Sequence, residues 1–166
     1  LERMTEKYRT SNFSYDNSIP FTKMSKGVLS KYKEEYGNVY QKGALIGLCL
    51  DLYLRSETNG RYGTQQLIRD LSARFGPDKS FKDGDLFKLI AETTQVKGIK
   101  QFFSHYVSGN KELPLVELLP KIGCELRSVD GKKDKVALLD SLKQELKEIK
   151  NPSPSQLDLR KAWINP

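Results

Sequence analysis

Apolar positions recur with helical spacing along most of this 166-residue chain, and the places where that spacing breaks mark its elements. Residues 1–18 are polar and weakly periodic, punctuated by Tyr8, Phe13 and Tyr15, and read as an extended lead-in. Ser25 to Tyr36 holds a short helix with Val28, Leu29 and Tyr32 on one side; Gly37 is placed to stop it, and a turn then delivers Tyr40. From Tyr40 to Glu57 the signal is strongest. Ala44, Leu45, Leu48, Cys49 and Leu52 form one stripe at a spacing of about 3.6 residues, and Ile46, Leu50, Tyr53 and Leu54 occupy the other faces. A helix apolar nearly all round belongs in the middle of a bundle. Gly43 and Gly47, four apart, would admit another backbone closely on one side.

Asn59-Gly60 ends that helix. Thr64 is the expected N-cap of the next, which runs from Gln65 to Phe75 with Leu67, Ile68 and Leu71 inward and stops at Gly76-Pro77. Asp83 is placed to cap a helix through Leu86, Phe87, Leu89 and Ile90 to about Thr94. Ile99 to Val107 carries Phe102, Phe103 and Tyr106, and Pro114 opens a short helix that ends near Gly123. Beyond Glu125 the chain turns charged. Val136 to Ile149 reads as an exposed amphipathic helix or a strand pair, with Leu138, Leu139, Leu142, Leu146 and Ile149 favouring the helix. Asn151 to Ser155 reads as a linker and Gln156 to Trp163 as a short anchored segment. No convincing period-two strand and no internal repeat appear, so the expected class is all-α, an irregular helical bundle.

Composition narrows the function classes. The content of 37% hydrophobic and 30% charged residues suits one domain with a real core. The longest apolar run, Gly43 to Leu54, falls short of the roughly 18 to 20 residues that a bilayer-spanning helix needs, so a membrane role is not expected. The net charge of +7 invites a nucleic-acid partner, but the lysines are interleaved with Asp and Glu; even Lys132-Lys133-Asp134-Lys135 contains an acid. A solvated mixed surface is the expectation, with no nucleic acid bound. Cys49 and Cys124 are distant in sequence and lack C-x-x-C partners, so neither a disulfide framework nor a zinc knuckle is implied, and Cys49 reads as a small core residue. The compartment stays open. Leu1 in place of an initiator Met reads as the start of a piece excised from something longer.

Complete hydrolytic sites are missing. A zinc peptidase needs two His one helical turn apart and a carboxylate, and His105 is the only histidine. Flanked by Ser104 and Tyr106, it reads as an ordinary surface or half-buried residue. Nothing near it resembles a nucleophile elbow, and no phosphate-cradling G-x-x-x-x-G-K-[ST] occurs.

Several segments, in order, carry a resemblance: Tyr40-Gln41-Lys42-Gly43-Ala44-Leu45, Leu50-Asp51-Leu52-Tyr53-Leu54-Arg55, Gly60-Arg61-Tyr62-Gly63-Thr64-Gln65-Gln66-Leu67 with Phe75-Gly76, Phe102-Phe103-Ser104-His105-Tyr106-Val107-Ser108-Gly109 and Leu113-Pro114. Across residues 18–126 they resemble the C-terminal helical part of the glycyl aminopeptidase family, zinc metallopeptidases of the gluzincin type. The Tyr-x-Lys-Gly-Ala start together with Phe-Phe-x-x-Tyr-Val-x-Gly is fairly specific; either alone is weak. Asn151-Pro152-Ser153-Pro154-Ser155 through Trp163 is similar to the segment that follows a PDZ-like domain in that family, but the connector at residues 127–150 is too short to be one. The resemblance implies the C-terminal helical subdomain of a thermolysin-like metallopeptidase at residues 1–126, a connector at 127–150 and a tail at 151–166. The H-E-x-x-H helix and its downstream glutamate are not in this chain, so no metal ligand or cofactor is expected here, and zinc is implied only for the full-length parent.

The resemblance also implies roles. Tyr40 would reach into the active site and donate a hydrogen bond to the oxyanion of the tetrahedral intermediate, opposite the zinc. A phenol with an ordinary pKa of about 10 stays protonated at neutral pH, and one such donor is worth about 10²–10³-fold in rate. The apolar run would bury the helix and so hold Tyr40 rigidly. The plainer reading is an aromatic at a helix start that packs on the core. Lys42 and Gly43 are the substrate-cleft candidates, although a lysine in a first helical turn is more often solvated or paired with a carboxylate. Asp51 and Arg55, at i and i+4, are expected to form an ion pair within or between helices. The expected partners are the zinc-bearing part of the same protein, a peptide substrate in the intact parent, and another copy of the chain through uncovered apolar surface. The chief alternative is a free-standing helical module that binds a partner protein and has no catalytic role.

Overall fold

The computed structural model describes residues 17–76, 78–128 and 144–165. The expected lead-in and most of the Val136–Ile149 segment lie outside the described residues.

The chain is mostly helical, as its periodicity implies, with one short two-stranded sheet that the periodicity did not announce. Helix α1 (Phe21–Gly27) begins four residues before the expected Ser25 and ends where Ser25–Tyr36 was to continue. The reason is local. The Tyr32 ring folds back over Gly27, where any Cβ would meet it at 2.6 Å, and Tyr32 N–H donates to the Gly27 carbonyl at 3.0 Å. A chain turned back in this way cannot extend the helix, and Leu29 is left in solvent.

Helix α2 (Tyr36–Glu57) runs 22 residues, about 33 Å at the standard rise. Gly37 does not stop anything: a 3-10 turn at Lys33–Glu35 flows into α2, and Asn38 Nδ2 donates to Glu35 Oε2 at 3.0 Å across the junction. A glycine inside a helix costs about 1 kcal/mol, less than burying one Leu or Val contributes. Val39, Leu45, Cys49 and Leu52 repeat at helical spacing on the buried side. The wrap of apolar residues is uneven. Near the C-terminal end Asp51, Leu52, Leu54 and Arg55 are all buried, whereas Tyr36, Gly37, Tyr40 and Ala44 leave one side of the first half open.

Around α2 pack α3 (Thr64–Arg74), α4 (Leu86–Thr94), α5 (Ile99–Tyr106) and α6 (Leu115–Leu118). Their shared core includes Leu67, Ile90, Phe102, Phe103 and Leu118. Phe87 of α4 stacks on Phe103 of α5 with centroids 4.4 Å apart. A 3-10 turn at Leu119–Ile122 ends at Gly123, whose φ of 65° only glycine adopts easily, so the stop read there holds.

The chain then enters β1 (Cys124–Ser128), paired antiparallel with β2 (Gln144–Glu148) so that Leu126 faces Leu146. Cys124 and Leu126 alternate inward against Glu125 and Arg127, a two-residue period confined to five positions. This corrects the helical reading of residues 144–148: Leu146 is buried through pairing with a distant strand. The tail is α7 (Pro154–Ile164) and begins earlier than the expected Gln156. Ser153 closes a capping box, accepting from Gln156 N–H at 3.3 Å while its own N–H donates to Gln156 Oε1 at 2.7 Å.

Candidate functional site

Tyr40 lies on the second turn of α2 and is 63% exposed. One turn earlier sits Tyr36, 47% exposed. The rings meet edge-on with centroids 5.2 Å apart, and the two hydroxyl oxygens are 3.1 Å apart with either able to donate. The hydrogen bond to Tyr36 and the nearness of that second phenol hold the Tyr40 hydroxyl above the ordinary phenol value, so it remains a neutral donor at physiological pH.

Lys42 does not join Tyr40. Two residues along a helix is a rotation of about 200°, so Lys42 points to the other side of α2. There it is 5% exposed, and its ammonium donates to Asn17 Oδ1 at 2.7 Å. Because α2 begins at Tyr36, Lys42 is beyond the first turn in which it was expected. Burial pulls its ammonium below the ordinary value, against the opposing pull of Cys49 and Glu112. Gly43 faces α1: a Cβ there would lie 3.4 Å from Phe21 Cζ. The structure thus separates Lys42, enclosed, from Tyr40, in solvent; Gly43, at i+3 from Tyr40, is a neighbour on the helix surface, half-buried against α1.

At the other end of α2, Asp51 and Arg55 form a buried pair, Arg55 Nε to Asp51 Oδ2 at 2.8 Å, within the helix. The remaining oxygen of Asp51 accepts from Thr64 N–H at 2.6 Å and Thr64 Oγ1 at 2.8 Å. Thr64 is therefore the first helical residue of α3 and not its cap. Gly63 holds the cap position, and the capping acceptor comes from α2. Arg55 also donates to the Ala162 carbonyl of α7 at 2.8 Å. Gly63 is small by necessity, since a Cβ would sit 2.5 Å from the guanidinium. Sequence reasoning found the pair but missed that it joins three helices, because no local pattern places Thr64 or Ala162 beside it.

Open grooves lie elsewhere on the surface, away from Tyr40. A groove of about 460 Å³ between α5 and α6 is lined by Tyr53, Phe102, His105, Tyr106, Lys111 and Lys121, among others. His105 is half-buried there, with Lys111 Nζ 3.4 Å from its Nε2. Cys49 and Cys124 are buried free thiols, both pushed up by burial. Among the described residues no three His, Cys, Asp or Glu side chains converge to hold a metal ion, and no helix is long and apolar enough to cross a membrane.

Comparison with family models, curated proteins and solved structures finds no match for the chain.

Proposed function

We propose that this chain is a helical portion of a zinc aminopeptidase-like enzyme, forming one wall of the active-site cleft and presenting Tyr40 as the hydrogen-bond donor to the oxyanion. The observation that carries this reading is the position of Tyr40. Its hydroxyl is exposed near the start of a 22-residue helix that is largely buried at residues 51–55, so a well-packed helix presents a neutral donor to solvent. The motifs around it, Tyr40-x-Lys42-Gly43-Ala44 and Phe102-Phe103-x-x-Tyr106-Val107-x-Gly109, are those of the resemblance and support the thermolysin-like subdomain as the architectural frame. The zinc-bearing part of the parent would face the open side of α2, over Tyr36, Tyr40 and Ala44, where apolar surface is uncovered. Had Tyr40 been packed inside, a free-standing binding module would have been the better reading.

Tyr40 contributes by aim and not by acidity. Its proton is directed at a developing negative charge that the ground-state carbonyl bears only in part, so the interaction strengthens as the reaction proceeds. Two measurements test the proposal. The isolated chain, incubated with zinc and an aminoacyl p-nitroanilide, should show no turnover; clear turnover would refute the fragment reading. In the full-length protein, Tyr40→Phe should lower kcat by about 10²–10³-fold with little change in KM. An unchanged kcat removes Tyr40 from the chemistry.

A further inference from the structure

Exposed side chains rarely hold one another unless their spacing brings them together, and Tyr36 and Tyr40, at i and i+4 on α2, meet both by ring edge and by hydroxyl. We propose that Tyr36 is a positioning residue for Tyr40, its hydroxyl donating into the Tyr40 oxygen so that the Tyr40 proton points outward to the substrate oxyanion. This rests on the reading of Tyr40 as the oxyanion donor.

The pair has two hydroxyl protons, and the contact at 3.1 Å uses one of them. If Tyr40 donates to Tyr36, its only proton is occupied and none is left for substrate. The raised Tyr40 value belongs to the form in which Tyr40 donates; if Tyr36 donates instead, the Tyr40 oxygen is satisfied as an acceptor and its proton is free to face the cleft. The two forms differ only by rotation of the hydroxyl protons about their C–O bonds, with no bond to oxygen broken. The outward form is favoured when negative charge develops beyond Tyr40, because consecutive donors in one direction polarise each other. A lone exposed tyrosine would instead accept from a mobile water. Tyr36 therefore replaces that water with a donor held by the same helix, and its ring edge restricts where the Tyr40 ring can swing.

Tyr36→Phe keeps the ring contact and deletes only the hydroxyl, at an exposed position where folding is not at risk. In the isolated chain with tyrosines labelled at Cζ, Tyr36→Phe should move the Tyr40 Cζ resonance at neutral pH. A resonance unmoved beyond the shifts of the other tyrosines would overturn the pairing. In the full-length protein assayed on an aminoacyl p-nitroanilide, Tyr36→Phe should lower kcat about 3- to 10-fold with KM unchanged, the size of one neutral hydrogen bond. The Tyr36→Phe, Tyr40→Phe double variant should be no slower than Tyr40→Phe alone, because the first hydroxyl acts only through the second. If Tyr40→Phe is slow and Tyr36→Phe is not, the positioning role falls and the role of Tyr40 stands. Additive losses, or a loss confined to KM, likewise overturn it. If Tyr40→Phe itself leaves kcat unchanged, the functional reading fails and takes this inference with it.

Discussion

At the scale of single residues, α2 shows how position on one helix divides chemistry. Tyr40 and Lys42 are two residues apart, yet one faces solvent and the other is enclosed. The enclosed lysine has a measurable signature in the pH dependence of stability. Its ammonium is held below the ordinary value of 10.5 by burial, so between that depressed value and 10.5 the unfolded chain carries a proton that native Lys42 has lost. Stability from this group therefore rises with pH in that window. Tyr53, Tyr62 and Tyr106, and the thiols of Cys49 and Cys124, act in the opposite sense. Burial raises all five, so the stability they contribute is complete below their ordinary values and is lost as pH climbs through their native ones. Lys42→Met removes the one rising contribution among these groups. Urea midpoints compared at about pH 8 and about pH 10 should fall further in the variant than in the parent chain, by at most about 1.4 kcal/mol per pH unit. Equal falls would show that Lys42 is not desolvated as described.

Between elements, the junction that matters is Asp51 with Arg55. A buried carboxylate that meets a guanidinium, a backbone N–H and a hydroxyl is satisfied on both oxygens, and the guanidinium in turn reaches α7. Removing half of such a pair is worse than removing both, since the remaining charge stays in a dry place. Asp51→Ala should therefore cost about 3–5 kcal/mol in denaturant unfolding, and Asp51→Leu combined with Arg55→Met should recover most of it. A single variant that loses less than about 1 kcal/mol would mean that solvent reaches the guanidinium despite its burial. The spacing of Asp51 and Arg55 made the ion pair legible from the sequence, whereas the capping box at Ser153 lies in a stretch that read as a linker. The ends of α1 and α2 were not legible. Gly27 and Gly37 are both glycines in helical company, and only the Tyr32 ring over Gly27 tells them apart.

For the whole molecule, the C-terminal segment is a structural member and not an appendage. Arg160 donates to the Ile122 carbonyl at 2.7 Å and to the Gly123 carbonyl at 2.5 Å, and pairs with Glu148 at 2.7 Å; Gln156 Nε2 donates to the Pro120 carbonyl at 2.7 Å. Leu159 and Trp163 pack against the main core. A chain ended after Lys150 loses those contacts together and leaves part of the Arg55 guanidinium unmet. It should unfold at a clearly lower Tm, with a loss above about 3 kcal/mol. A truncated chain with the parent Tm would show that α7 contributes nothing to the fold that holds Tyr40.

What the sequence determined by itself was local. Apolar residues repeated at helical spacing set which stretches become helices, the single histidine left this chain without the two-histidine H-E-x-x-H pattern, and Asp51 with Arg55 announced their pairing. Tertiary structure alone decided the rest. The pairing of Cys124–Ser128 with Gln144–Glu148 satisfies backbone groups far apart in sequence, which no period within either segment encodes. The exposure of Tyr40 and the burial of Lys42 depend on which side of α2 meets α1 and the core, and a helix apolar on several faces does not declare that side until its neighbours pack against it.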